Sequence, residues 1–226
     1  MKQLNSLYLN PMDIKKLFTI TLTLIAIQSF GQNLIDSLNI SGKLDTLKSQ
    51  FSNNKKLTPN YEVEILTALS YYPELSNTKI KFKETKIKTT LNARPTPVSV
   101  LFRRKKKRKY VIRINSQYLD SVIHLSNISF NAKIGVFGHE FAHIYDYQNR
   151  NIWGIASRLI AYSSKKSKAD FEKEIDTFTI QRGLGWQLYE WSNYVLNTSN
   201  ATKAYKEFKR LTYLTPEEIK SALNKL

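Results

Sequence analysis

The sequence has no cysteine, and it has little glycine and proline, with 7 and 6 residues among 226. Without cysteine there can be no disulfide scaffold, thiol nucleophile or Cys-ligated zinc, and no lipidated N-terminal cysteine. Low glycine and proline, with 42% hydrophobic and 12% aromatic residues, exclude a collagenous, low-complexity or disordered chain. The length is enough for one domain with a substantial core.

Acidic residues are scarce relative to basic ones, at 18 against 35, so the formal net charge is +17. This charge permits nucleic acid, an anionic membrane or acidic substrates as partners, but it does not predict a fold. The densest basic run is Arg103, Arg104, Lys105, Lys106, Lys107, Arg108 and Lys109. It can be a solvated loop, a contact for a polyanion or a processing site. No aromatic residue interrupts it, so we expect no specific nucleic-acid binding.

Long hydrophobic runs are missing except for one near the N-terminus, Leu17–Phe30. It follows two lysines and is too short to cross a bilayer comfortably, which is typical of a signal peptide. Ser29-Phe30-Gly31 has the small-x-small pattern of a cleavage site. We therefore predict a signal peptide over residues 1–31, with translation starting at Met12, and an exported protein, periplasmic or secreted, whose mature chain has no transmembrane segment.

The pattern of residues 32–226 predicts a single α+β domain with a small sheet followed by a mostly helical C-terminal half. Strands are expected at 79–83, 98–102 and 110–115, the last two forming a hairpin with the basic run at its tip. Helices are expected at 34–51, 60–72, 132–148, 153–163, 169–183, 186–197, 201–213 and 216–225. The last helix has a clear start, because Thr215 is a good N-cap and Pro216 suits the first position.

The motif that carries chemistry is His139-Glu140-Phe141-Ala142-His143, an HExxH sequence inside a predicted helix. Residues four apart share a helix face, so both imidazoles can bind one zinc ion while Glu140 stands beside it as a general base. A helical wheel separates these three side chains from the neighbouring apolar face. Uncharged flanking residues favour the partly dry environment that a catalytic zinc needs. The alternative is a pair of ordinary buried histidines.

A catalytic zinc needs a third protein ligand, and the segment Phe171–Asp176 of the predicted helix 169–183 carries the acids Glu172, Glu174 and Asp176. The wheel places Glu172 and Asp176 on the apolar arc of this helix and Glu174 on its polar side. A buried acid must be paired or must bind a metal. We therefore predict Glu172 as the third ligand of one zinc ion per chain, and Asp176 as the acceptor for the free ring N–H of a zinc-binding histidine. The alternative is an exposed acidic cluster. Gly183, on the same arc, would let a neighbouring helix come close.

These segments resemble the gluzincin metallopeptidases. HEFAH followed by EKEID carries this resemblance. The segment EKEIDTFTI is similar to the corresponding helix of the HtpX and CAAX prenyl protease group, and HEFAHIYD is similar to the MtfA-like gluzincins. The resemblance covers residues 131–183 and implies a zincin-like fold, in which an edge strand lies over the cleft. It implies these roles: His139, His143 and Glu172 as zinc ligands, Glu140 as the base and Asp176 as their support.

Other parts of the predicted cleft are left open by the sequence. The strand 110–115 is the candidate edge strand along which an extended peptide would pair, although it can also be an ordinary core strand. Asp146 can support His139 or simply end its helix. The candidates for stabilising the oxyanion are Tyr145, Tyr147, Arg182 and Tyr205, among which the sequence does not choose.

Two functions follow from these observations. The first is an exported zinc metallopeptidase that hydrolyses peptide bonds in a protein or peptide substrate. The second is a catalytically inactive, zincin-like binding protein, basic and associated with the cell envelope. The intact Glu140 favours the first, because that residue is needed for proton transfer but not for metal binding.

Overall fold

A computed structural model describes residues 34–118 and 122–226. The predicted signal peptide, its cleavage site and the start at Met12 lie outside these residues. No helix within the described ranges has both the length and the apolar character needed to cross a bilayer.

The first helices are shorter than the sequence pattern predicted. The predicted helix 34–51 is two helices, α1 (Ser37–Ser41) and α2 (Leu44–Phe51), separated at Gly42. The next, α3 (Glu62–Ser70), follows a 3₁₀ turn at Pro59–Tyr61, and its Ile65, Leu66, Ala68 and Leu69 are fully buried. A second 3₁₀ turn, Pro73–Leu75, leads from α3 into the sheet.

The sheet is mixed and has four strands in the order β1-β2-β4-β3. Their bounds are Lys55–Lys56 for β1, Lys79–Thr85 for β2, Leu91–Pro95 for β3 and Lys109–Asn115 for β4. The strand β2 pairs in parallel with both β1 and β4, while β3 pairs antiparallel with β4. In β2 the buried Ile80 and Phe82 alternate with exposed lysines, as the sequence predicted.

Two expectations about the sheet are wrong. Residues 98–102 do not form a strand, because Pro97 at the first turn starts the short helix α4 (Pro97–Phe102). The partner of β4 is instead β3, which alternation did not reveal because it is short and contains Asn92 and Pro95. The basic run lies in the connection from β3 to β4, partly as the 3₁₀ turn Lys105–Lys107.

The expectation that residues 110–115 form the edge strand is also wrong. The strand β4 lies inside the sheet, between β2 and β3, and the edge strand beside the helical half is β3. Alternation cannot distinguish the two positions, because it reports which face of a strand is buried and not whether both sides are paired. The basic run also contains a buried member: Arg108 donates to the carbonyls of Tyr147 and Arg150 at 3.1 and 2.7 Å.

The C-terminal half is almost entirely helical, as predicted. After the 3₁₀ turn Leu125–Asn127 come α5 (Phe130–Asn149), α6 (Ile152–Ala161), α7 (Lys165–Thr179), α8 (Gly185–Asn193), α9 (Lys203–Thr212) and α10 (Pro216–Leu223), with π-helical segments at Ile180–Leu184 and Tyr194–Thr198. The predicted start of the last helix is confirmed, because Thr215 and Glu218 form a capping box.

The core places α5 between the sheet and the other helices. The ring of Phe82 in β2 packs edge-on against Phe137 and Phe141 of α5, with centroids 6.2 Å apart in both pairs. These contacts fix the rotation of α5 about its own axis. The face that carries His139 and His143 is thereby turned away from the sheet core and towards α7.

Two positions in the fold favour glycine, each for a different structural reason. Gly183 has φ +87° within the π-helical segment between α7 and α8, a left-handed conformation that suits glycine. The expected close helix approach is instead at Gly135 in α5, where an added Cβ would lie 2.3 Å from the backbone oxygen of Gln187 in α8.

Replacing Gly135 by alanine is therefore expected to destabilise the protein by about 2 kcal/mol, the range typical of an overpacked core. Chemical denaturation would show a lower midpoint. Gly42→Ala is the matched control, since an added Cβ there lies 3.8 Å from its nearest neighbour. An unchanged midpoint for Gly135→Ala would contradict the close packing of α5 on α8.

Candidate metal centre

Two helices supply the side chains of the candidate site. Helix α5 carries His139, Glu140 and His143, and helix α7 carries Glu172 and Asp176. All five are buried, with exposed fractions between 2 and 6%. Such burial is rare for three acids and two histidines on neighbouring helices, and it requires that they bind one another or a shared ion.

Three atoms form a nearly equilateral triangle. The Nε2 atoms of His139 and His143 are 3.1 Å apart, and each lies 3.2 Å from Oε2 of Glu172. A tetrahedral zinc with bonds of about 2.0–2.1 Å would hold its ligand atoms roughly 3.3 Å apart. The donor set is also one that zinc prefers, so the residues fit a metal ion, and a buried His–His–Glu group that could hold one is present in the described part of the chain.

Asp176 orients the first histidine. Its Oδ1 lies 2.7 Å from Nδ1 of His139, and its Oδ2 accepts a hydrogen bond from the backbone of Leu214 at 2.9 Å. Because the carboxylate accepts this hydrogen bond, Nδ1 carries a proton, and Nε2 is the ring atom that would present a lone pair to a metal ion in the triangle. Asp176 therefore contacts the ring nitrogen of His139 that lies outside the triangle, and it also connects α7 to the segment before α10.

Glu172 is held by a residue that the sequence did not identify. Its Oε1 accepts a hydrogen bond from the Tyr162 hydroxyl at 2.7 Å, which leaves Oε2 for the triangle. Burial would raise the pKa of Glu172, but the two histidines hold it well below its usual value, so the carboxylate is ionised. Burial beside this carboxylate raises the pKa of Tyr162, which keeps its hydroxyl a donor.

Glu174 lies elsewhere, as the wheel predicted for the polar side of α7. Its side chain is 56% exposed and pairs with Arg158 at 2.6 Å. Arg158 also pairs with Asp146, which Arg150 contacts as well. Burial would raise the pKa of Asp146, but these arginines hold it below its usual range. Asp146 thus belongs to an ion-pair network at the end of α5, and among the described residues it forms no hydrogen bond or ion pair with His139.

Glu140 stands beside the triangle without belonging to it. Its Oε2 is buried and has no hydrogen-bond partner among the described residues. Burial raises the pKa of Glu140, while the two histidines and the backbone N–H of Ala93 in β3 act in the opposite direction. A buried carboxylate with an unused oxygen and a raised pKa is suited to accept and release a proton.

The charges of the site favour a cation at its centre. Three carboxylates surround two imidazoles. Burial would lower the pKa of His139, but the hydrogen bonds and charges of Asp176 and Glu172 raise it to about 10. Without another cation, the site therefore takes up a proton. A divalent metal ion would supply the same positive charge and displace that proton.

The four candidates for stabilising the oxyanion have different surroundings in the structure. Tyr147 is buried and stacks on His143 at 6.1 Å between ring centroids. Tyr145 and Arg182 lie together, with Arg182 paired to Glu74 at 2.8 Å, and Tyr205 approaches Thr90. Sequence reasoning missed Tyr213, whose ring lies 5.7 Å from that of His139.

A pocket opens beside the triangle. Its lining includes His139, Glu140, Tyr213 and Lys209, together with apolar side chains of α8 and Leu91 of β3. Comparison of the chain with protein-family models, with curated proteins and with solved structures gave no match. The site is therefore interpreted from its own geometry, in which a metal-binding group and a buried base share one pocket.

Proposed function

We propose that the protein is a zinc-dependent metallopeptidase with a zincin-like fold. The observation that carries this proposal is the triangle of His139, His143 and Glu172 with the unused oxygen of Glu140 beside it. Two imidazoles and one carboxylate are a known ligand set of catalytic zinc, which keeps a further position for water or substrate. The apolar run Leu17–Phe30 supports export to the periplasm or the medium.

The chemistry divides between the metal and the chain. A zinc ion held by the three ligands would lower the pKa of water and polarise the scissile carbonyl. Glu140 accepts the proton that the attacking water loses as its oxygen bonds to the carbonyl carbon. The same carboxyl group then gives this proton to the amine as the C–N bond breaks. Asp176 and Tyr162 hold the ligands in the orientation that this requires.

The edge strand β3 supports peptide binding by strand addition. Thr90 accepts from the backbone of Asn115, and Thr96 donates to Lys109, so the even-numbered residues of this segment pair with β4. The backbone groups of Leu91 and Ala93 therefore point to the open edge. Since Ala93 approaches Glu140, an extended substrate paired with β3 would pass beside the base.

The direct test combines metal analysis with hydrolysis. Purified mature protein, residues 32–226, is expected to bind about one zinc per chain, from the three-ligand site, and to hydrolyse casein in a reaction that a chelator stops and added zinc restores. His139→Ala and His143→Ala should lose the metal. His124→Ala is the matched control, because His124 lies in a loop where its ring contacts Ser126 and Tyr118.

Two results would contradict the proposal in different ways. Protein that contains no zinc and binds none when it is added would exclude the metal site. Full zinc occupancy without hydrolysis of casein or a mixed peptide library would instead support the inactive, zincin-like binding protein.

A further inference from the structure

The positive charge of the chain is concentrated in one part of the fold. Residues 79–113 contain fourteen lysines and arginines and one acid, Glu84, which is a net charge of +13 out of the chain's +17. This segment includes β2, β3, β4 and the connections between them. The basic character is therefore a property of the sheet and not of the whole surface.

The cations line the outer face of the sheet. Alternation in β2 turns Lys79, Lys81 and Lys83 away from the core. The strand register places Lys109 beside Lys79, and Arg113 beside Lys83. Neighbouring like charges destabilise a sheet, and no cation of residues 79–113 forms an ion pair with a described carboxylate. The face is thus left without internal neutralisation.

Helix α4 adds an exposed apolar surface next to these charges. Its Val98, Leu101 and Phe102 are 69, 63 and 81% exposed, which is unusual for three large apolar side chains on a six-residue helix. The basic connection continues directly from it, and one shallow cavity is lined by Val98, Phe102, Arg103, Arg104 and Lys107. Apolar and cationic side chains therefore form a single continuous patch, which we call the basic–apolar patch.

We propose that the basic–apolar patch, together with the outer face of the sheet, docks the protein on an anionic lipid bilayer. The side chains of Val98, Leu101 and Phe102 enter the boundary between headgroups and acyl chains, and the cations contact lipid phosphates. A soluble polyanion would neutralise the cations but leave the three apolar side chains in water. An anionic lipid surface neutralises the cations and also removes the three apolar side chains from water. The composition of the patch therefore favours a lipid surface as its partner.

Docking in this way brings the candidate metal centre near the lipid. Ala93, beside Glu140, and Val98 are five residues apart, which is at most about 18 Å of chain. The docking itself uses none of the metal-site residues. Its test can therefore fail or succeed whether or not the protein is a peptidase.

The lack of cysteine gives the test a local probe. In the mature protein, residues 32–226, Val98→Cys provides a single site for an environment-sensitive nitrobenzoxadiazole label, and Ser221→Cys on α10 is the labelled control at an exposed position outside the patch. Vesicles of phosphatidylcholine with about one third phosphatidylglycerol should shift the emission of the Val98 label to shorter wavelength, and leave the control unchanged. Pure phosphatidylcholine vesicles should give no shift.

Paired variants then separate charge from insertion. Changing Lys105, Lys106 and Lys107 to glutamine should weaken binding to the anionic vesicles about a hundredfold, whereas the same change at Lys165, Lys166 and Lys203 should have a much smaller effect. Leu101→Ser with Phe102→Ser should weaken it about tenfold or more. The control is Leu159→Ser with Ile160→Ser on α6, which are also exposed but whose neighbour Arg158 is paired with acids.

Three outcomes would overturn the proposal. The first is an unshifted Val98 label on anionic vesicles, and the second is an equal loss of binding for the α4 and α6 serine pairs. The third is tight binding to double-stranded DNA or heparin without binding to vesicles, which would identify a polyanion site in place of a lipid site.

Discussion

Glu140→Gln is expected to reduce peptide hydrolysis by about a thousandfold while the protein keeps one zinc per chain. The substitution preserves the size of the side chain but removes the proton acceptor, and general base catalysis contributes about 10²–10⁴-fold. The metal should remain because Glu140 is outside the triangle of His139, His143 and Glu172. Initial rates on a fluorogenic peptide and the zinc content of the same sample give both results.

The same variant should fold at least as stably as the parent protein. The carboxylate of Glu140 is buried, and burial raises its pKa, so its charge is a cost to the folded state at neutral pH. Glu174→Gln is the matched control, because that side chain is exposed and pairs with Arg158. If Glu140→Gln retained more than about a tenth of the activity, Glu140 would not be the base.

The parts of the site that could be predicted are those that depend on periodicity within one helix. The HExxH spacing and the wheel of residues 169–183 required no knowledge of how the helices pack. They were sufficient to predict that Glu172 and Asp176 are buried and that Glu174 is exposed, because the spacing of apolar residues along a helix indicates which of its faces is buried. The structure places these side chains on the two sides of one centre.

The parts that could not be predicted depend on contacts between distant segments. Tyr162 and Tyr213 reach the site from the ends of α6 and α9, and nothing in their local sequence distinguishes them from other tyrosines. Strand order is a similar case, since β4 has the same alternation whether it lies inside the sheet or at its edge. For residues 98–102, a short apolar run fitted both a strand and a helix, and Pro97 decided the outcome.

The proposed third metal ligand, Glu172, gives the other large expected effect. Glu172→Ala should weaken zinc binding much more than the 10–100-fold typical of losing a supporting hydrogen bond, because it removes one of three donor atoms. Competition with a chelator of known zinc affinity would measure the change. The side chain of Glu174 is exposed and pairs with Arg158, so Glu174→Ala should leave zinc affinity unaltered and cost at most about 1 kcal/mol of stability through this ion pair.

Tyr162→Phe completes the series with an intermediate effect. It removes the hydroxyl that donates to Oε1 of Glu172 but leaves Oε2 in the triangle, so zinc affinity should fall by about 10–100-fold. The expected order of loss is therefore Glu172→Ala, then Tyr162→Phe, then Glu174→Ala. Equal losses for the two glutamate variants, or a larger one at Glu174, would show that the carboxylate in the triangle is not a ligand. An unchanged affinity in Tyr162→Phe would show only that Glu172 is positioned without its hydroxyl partner, because the ligand atom itself remains in place.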